Sequence, residues 1–376
     1  RDKSPRGYSL ISHLTSSQST VRRFAMRSKL LTALPFIAAA GMLPGTALAK
    51  DEFSVCWSIY VGWMPWDYGD AEGIVDKWAD KYDIEIDVVQ INDYIESINQ
   101  YTSGRFDGCT MTNMDALTIP ASGGVDSTAL VVGDFSDGND GIVMKNEDDL
   151  AEIEGKRVNL VELSVSHYLL ARGLESVGLS ERDIEVVNTA DADIVSAFAT
   201  PDVSSVVTWN PQLSSVLEQP NANLVFDSSQ IPGEIMDLMV VNTETLEANP
   251  KFGKALTGAW YEIMARMQGD DETAIEARTH MANAAGTDLE GYEAQLEATN
   301  MFHDPSEAVD FTRSDQLLET MQNVAEFSFR HGLLGQGAPS AEAVGIETPS
   351  GTYGNEGNVN LRFTDKYMQQ AADGEL

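Results

Sequence analysis

The chain has 376 residues, with 59 acidic against 24 basic side chains and a formal net charge of −35. That balance excludes nucleic acid and anionic membrane surfaces as partners, since both are held through basic patches. A hydrophobic content of 43% is ordinary for a globular protein and excludes a disordered acidic tail.

Met26 opens a stretch that reads as a secretory signal. Arg27 and Lys29 make a basic start, LLTALPFIAAAGML is the apolar middle, and Ala47-Leu48-Ala49 is a small-x-small cleavage site. The apolar middle is short for a spanning helix, which needs ~20 apolar residues. Residues 26–49 are therefore expected to be cleaved, and residues 1–25 read as upstream sequence. The first 49 residues hold seven Lys/Arg and one acid, which leaves 17 basic against 58 acidic residues, near −41, in the exported part. Acids spread over a folded surface also suit a salt-adapted exported protein. Cys56 and Cys109 fall inside predicted strands, where buried thiols are expected, although export permits a disulfide.

From residue 53 strand and helix alternate. FSVCWSIYV is a short strand, and GWMPWDYGDAEG (62–73) is the loop at its end. Ile74, Trp78 and Tyr82 mark a helix face. Strands follow at 84–91, 106–112 and 129–135, with a helix at 93–104. A second rhythm occupies the middle: strands at 156–163, 184–189, 204–210 and 223–226, and helices at 164–178, 192–200 and 211–219. Two extended segments, 141–146 and 237–243, flank it. Helices then dominate (250–267, 273–286, 289–300, 314–334), and 336–359 reads as a long surface loop. Strands separated by helices imply parallel βαβ units. The predicted class is α/β, with two lobes built on parallel sheets and joined by two hinge crossings. Residues 50–141 and 236–376 form lobe 1, and 142–235 form an inserted lobe 2. A ligand then sits between lobes, in loops at the carboxyl ends of the strands.

Those strand ends offer Trp63, Trp66, Asp67 and Tyr68, then Asn113 and Asp115, then Glu162, Ser164 and Ser166, then Trp209 and Asn210, and Glu234 and Asp237 near the return crossing. Basic residues are almost absent. A planar, weakly hydrated guanidinium stacks on indole faces and pairs with carboxylates, so this set suits it. Neutral urea also fits between rings but needs donors for its carbonyl, which Asn113, Asn210 or Ser164 offer. Each residue has a structural reading as well. Asp67, Asp70 and Asp115 suit helix capping, the tryptophans suit core packing, and His167 suits packing or capping. HExxH, CxxC, GxSxG, P-loop and GxGxxG patterns are absent, so no catalytic residue, metal site or cofactor is expected.

The segment DLAEIEGKRVNLVELSVSHYLLARGLESVGLSERDIEVV (149–187), with LRFTDKYM near the C-terminus, resembles the nitrate/taurine-type periplasmic substrate-binding proteins of ABC transporters. GWMPWDYG and IPGEIMDLMVVN resemble the branch found beside urea carboxylase and guanidine-using enzymes. The resemblance implies a two-lobe Venus-flytrap fold of type II and a periplasmic, monomeric binding protein. Its partners would be a small-molecule ligand and the permease subunits. It also implies a small planar nitrogen compound, and guanidine stands ahead of urea because the acids outnumber the donors. Trp63, Trp66, Asp67, Asn113, Asp115, Glu162, Ser164, Trp209, Asn210 and Asp237 are the expected ligand contacts. Two alternatives stay open: an oxyanion such as taurine, a sulfonate or nitrate, and an enzyme on the same scaffold.

Overall fold

The computed structural model describes residues 51–335 and 337–376, so the expected leader and the residues before it lie outside the described range. Two sheets organise the described chain. The first begins with β1 (Glu52–Trp57), β2 (Glu85–Gln90), β3 (Gly108–Thr112) and β4 (Ser127–Ser136). The second consists of β5 (Asp140–Lys145), β6 (Arg157–Leu160), β7 (Glu185–Asn188), β8 (Ser205–Trp209) and β9 (Ala222–Asp227). The chain returns to the first sheet with β10 (Met236–Asn242), β11 (Thr299–Met301), β12 (Gly345–Thr348), β13 (Gly351–Tyr353) and β14 (Val359–Phe363). The strand orders are β13-β12-β14-β4-β10-β3-β1-β2, with β11 beside β4, and β7-β6-β8-β5-β9.

Helices connect these strands: α1 (Met64–Ala71), α2 (Ile74–Lys81), α3 (Tyr94–Thr102) and α4 (Asn113–Ala116) around the first sheet, and α5 (Val165–Ser176), α6 (Ile194–Ala199) and α7 (Gln212–Leu217) around the second. After β10 come α8 (Thr243–Ala248), α9 (Pro250–Met267), α10 (Glu272–Ala284), α11 (Leu289–Glu297), α12 (Pro305–Thr312), α13 (Asp315–Arg330) and α14 (Lys366–Ala372). Helix α9 starts on Pro250, whose missing N–H costs nothing at a first turn. It buries Phe252, Leu256, Trp260 and Ile263 along one face. Gly258 lets it lie on α2, because a Cβ there would meet the Trp78 ring at 2.4 Å. No helix among the described residues is long and apolar enough to cross a membrane.

Both sheets are mixed rather than parallel. β1, β2 and β3 run parallel, as do β6, β7 and β8. β10 is antiparallel to β3 and β4, and β5 is antiparallel to β8 and β9. The reason is the two crossings, at 137–139 and 228–235. β5 and β10 each begin at the interface between the sheets and run away from it, whereas β3, β4 and β8 end there. The cleft is thus lined by the carboxyl ends of some strands and the amino ends of two others.

Three further expectations change. GWMPW is not a loop: its last three residues open helix α1, with Pro65 in the first turn and Trp63 at the N-cap position. Residues 336–359 are not one loop, since β12 and β13 form a hairpin there that pairs onto β14. The cysteines are not free thiols. Cys56 and Cys109 are register partners on β1 and β3, with Cα atoms 4.4 Å apart, and form a disulfide.

Candidate functional site

Where the sheets meet, Tyr60, Trp63, Tyr94, Thr112, Asp140, Val165, Trp209, Ile235 and Asp237 line a tight cavity of about 10 Å³. Tyr60 and Trp63 leave the end of β1, and their rings meet at 4.9 Å. Trp63 lies 5.6 Å from Tyr94, at the start of α3. Trp209, at the end of β8, closes the box from the other sheet, edge-on to Tyr94 at 5.6 Å. Such offsets are the favoured geometry for aromatic quadrupoles. No Lys, Arg or His lines this cavity.

The carboxylates come from the crossings. Asp140 begins β5, and Asp237 stands in β10 directly opposite Asp134 of β4 and Thr112 of β3. Register therefore forces Asp134 and Asp237 together. Burial raises both, Asp134 to about 7, against hydrogen bonds from Asp237 and Tyr60 that lower it, and Asp237 well above the usual carboxylate range, with the Asp134 charge adding to the rise. The Asp134 carboxyl beside it favours the protonated form of Asp237. Burial also pushes Asp140 up to about 7, against a 2.6 Å hydrogen bond donated by Ser136 Oγ. The Tyr60 hydroxyl donates to Asp134 at 3.3 Å and accepts from Asn139 Nδ2 at 3.0 Å. Gly62 permits this crowding, since a Cβ there would lie 2.4 Å from Asp134 Oδ2.

A rear cavity of about 10 Å³ shares Trp63 and Asp237 with the front one, and Trp66 and Trp260 wall it. Their rings lie 5.2 Å apart. The indole N–H groups of Trp63 and Trp260 are buried without a hydrogen-bond partner in the protein.

Of the residues expected at the site, Trp63, Trp209 and Asp237 come together on the cavity wall, and Trp66 lies behind Trp63. Asp115 forms a supporting layer. It is fully buried and raised to about 6 by that burial, and it accepts from Tyr94 Oη at 2.7 Å, Thr112 Oγ1 at 2.9 Å and the Val165 backbone N–H. Thr112, not Asp115, caps α4. Asp67 sits on α1 facing His280 at 2.8 Å. Glu162 is exposed, and its backbone N–H donates to Asn188. Ser164 caps α5. Asn210 Oδ1 accepts from the Ser214 backbone N–H and hydroxyl, fixing the start of α7. The Glu234 carboxylate is taken by Arg172, at 2.9 and 3.0 Å.

Asn113 is a clamp on the return crossing. Its Nδ2 donates to Glu234 O at 3.0 Å and its Oδ1 accepts from Met236 N at 3.0 Å. Replacing Asn113 by alanine strands a buried N–H, so a loss of about 1–3 kcal/mol is expected in denaturant unfolding.

Tyr60, Tyr94, Asp134 and Asp140 were not among the sequence candidates. Tyr94 is flagged only by its place beside the N-cap Asp93, and Asp140 only by its place on a crossing.

A family model described as NMT1/THI5 like matches residues 83–270, half of the chain, and the chain belongs to this family. The taurine-binding periplasmic protein of Escherichia coli (strain K12) is 25% identical over 117 residues, covering 30% of this chain and 36% of that protein. The aligned part thus spans about a third of that relative. The alkanesulfonate-binding protein SsuA of Xanthomonas axonopodis pv. citri, bound to MOPS, superposes with a TM-score of 0.63 at 16% identity, over 77% of this chain and 96% of that one. The nitrate-binding protein NrtA of Synechocystis PCC 6803 gives 0.55 at 12% identity, over 87% and 99%. These likenesses show the two-lobe periplasmic-binding-protein fold. The ligands in these names are taurine, an alkanesulfonate and nitrate, not urea or guanidine.

Proposed function

We propose that this NMT1/THI5-like chain is the periplasmic solute-binding component of an ABC importer. Its lobes part to admit a small planar nitrogen compound and close around it, with guanidinium ahead of urea. The observation that carries the ligand class is the wall itself: four aromatic rings and two buried carboxylates, with no cationic side chain. Desolvating a cation there without a carboxylate partner would be costly, and here two partners are in place. Flat rings on several sides add cation–π attraction. The start of α5, an anion-ready group of N–H donors, already faces the protein's own Asp115 through Val165.

A second reading, an oxyanion such as a sulfonate or nitrate, is what the names of the relatives favour. Two features of the site suit it. Protonated Asp237 and Asp140 would be donors, and the Trp63 indole N–H is buried without a partner.

Calorimetric titration of the ligand-free protein with guanidinium, urea, taurine and nitrate separates the readings. Guanidinium binding is expected, with Trp209→Ala weakening it about 30-fold, the equivalent of ~2 kcal/mol for a desolvated cation–π contact. Binding of taurine or nitrate without guanidinium would establish the second reading instead.

A further inference from the structure

Away from the cavity, three titratable side chains meet across the lobes. His167 lies in the first turn of α5 and Glu181 in a single turn after it, both in the second lobe. His331 caps the C-terminus of α13, which packs on α4 of the first lobe. The Nε2 atoms of both imidazoles contact the Glu181 carboxylate, one on each oxygen. His167 is buried, and the other two are partly exposed.

Two histidines and a carboxylate are metal-ligand types, but the outer hydrogen bonds decide otherwise. A ligating imidazole Nε2 needs its proton on Nδ1, donated outward. The Leu163 backbone N–H donates to His167 Nδ1 at 3.1 Å, so that nitrogen is an acceptor and the ring's proton sits on Nε2, toward Glu181. His331 is the reverse. Its Nδ1–H donates to the Phe327 carbonyl at 2.9 Å. Its Nε2 therefore has a proton for Glu181 only as the imidazolium. His167 joins Glu181 while neutral, and His331 joins it only when charged.

The bonds lead to the ligand cavity. Leu163 is a non-glycine residue held at φ 65°, a strained backbone for a branched side chain, and it is 42% exposed. His167 accepts its N–H. Two residues on, Val165 lines the cavity. Position 163 is thus pinned from one side by the relay and joined on the other to the cavity wall.

We propose that His331, Glu181 and His167 form a proton-operated latch between the lobes, fastened while His331 carries a proton and released when it loses it. The proposal rests on the reading that the lobes part and close.

The sign follows from the partners. The Glu181 hydrogen bond raises His331 above the usual imidazole range, with burial opposing it. The contribution is therefore complete below the imidazole's ordinary value and is lost as pH rises through the raised one. Burial alone would raise Glu181, but the hydrogen bonds from His167 and His331 outweigh it and hold it at about 2, so the acid side stays intact. The other charges nearby are Arg330, which opposes protonation of His331, Glu175 between Arg172 and Arg330, and Arg182 and Asp183 beside Glu181. Asp183 is occupied by the Ser180 N–H and hydroxyl, and Glu234 holds Arg172.

The test uses ligand-free protein, small-angle scattering and hydrogen exchange at the Leu163 amide, at pH 6 and pH 9. The wild type is expected to be compact at pH 6 and expanded at pH 9, with Leu163 exchange at least tenfold faster after correction for intrinsic base catalysis. His331→Leu, which has no donor for Glu181, is expected to be expanded at both values, and His331→Lys, which keeps a charge toward Glu181, compact at both. Glu181→Leu is the second releasing variant should His331→Leu not fold. An unchanged pH response in the Leu variants would overturn the latch. So would expansion at pH 6 on adding a chelator with compaction at pH 9 on adding zinc, which would make the cluster a metal site. Guanidinium-induced compaction, read on the same samples, reports the ligand separately.

Discussion

Asp237→Asn is expected to weaken guanidinium capture at least ~30-fold and yet make the ligand-free protein more heat-stable at pH 8. Asp237 and Asp134 face each other across β10 and β4 with no basic residue on the cavity wall. Burial raises both carboxyls. A group raised in the folded state contributes stability that is complete below its unfolded value and is lost as pH climbs through the folded one. As pH climbs past about 7, Asp134 ionises beside Asp237 and the wild-type pair loses that stability. Asparagine keeps the shape, donates to Asp134 at every pH and removes one charge. A melting-temperature gain on the order of 2–5 °C is expected at pH 8 and almost none at pH 5, where the wild-type pair is protonated. Binding moves the other way. Removing one member of a buried charge pair costs ~2–5 kcal/mol, so the dissociation constant should rise at least 30-fold. Scanning calorimetry at the two pH values and a guanidinium titration read both effects. A variant that melts lower at pH 8, or that still binds as tightly as wild type, would show that Asp237 is a structural residue.

The opposition between stability and binding explains what was legible in the sequence. Alternating apolar runs gave the helices and strands of both lobes because each has one buried face, and β3 and β10 are buried almost throughout because they lie inside the first sheet. The resemblance carried by residues 149–187 pointed to the fold. The cavity was legible only in part. Trp63 and Trp209 stood at carboxyl ends of strands, where a parallel-sheet rule looks. Asp140 lies at the amino end of a strand that runs away from the cleft, which that rule passes over. Asp134 and Asp237 lie 103 positions apart in the numbering, and only the antiparallel register of β4 and β10 brings them opposite. GWMPW offered no loop signal beyond proline, which equally starts a helix. Glu162, Ser164 and Asn210 fitted by type and position, but Glu162 is exposed and the neighbours of Ser164 and Asn210 claim their side chains. A one-dimensional reading cannot tell a capping side chain from a ligand contact when both occur at the start of a helix.

The charge of the ligand should appear as the sign of a pH slope. The two carboxyls on the cavity wall are Asp140, pushed up to about 7 by burial, and Asp237, raised well above the usual carboxylate range by burial and by the Asp134 charge. Below neutrality the free protein therefore holds protons that a cation must displace. Guanidinium stays protonated throughout, so each proton displaced makes affinity rise about tenfold per pH unit until the group is already ionised. The expected result is a dissociation constant that falls about tenfold per pH unit for each carboxyl still protonated, at least ~100-fold between pH 5 and pH 7, with the fall slowing as Asp140 ionises. Calorimetry in buffers of different ionisation enthalpy would show proton release on binding. Urea, being neutral, needs no proton displaced and should bind with a nearly flat profile. A sulfonate or nitrate needs the acids neutral and would show the opposite slope, with affinity lost as pH rises and protons taken up. The latch at His331 weakens only on the alkaline side, so the interval from pH 5 to pH 7 reports the carboxylates alone. A falling affinity across that interval would reverse the assignment of ligand charge, because no arrangement of these carboxylates binds a cation better when protonated.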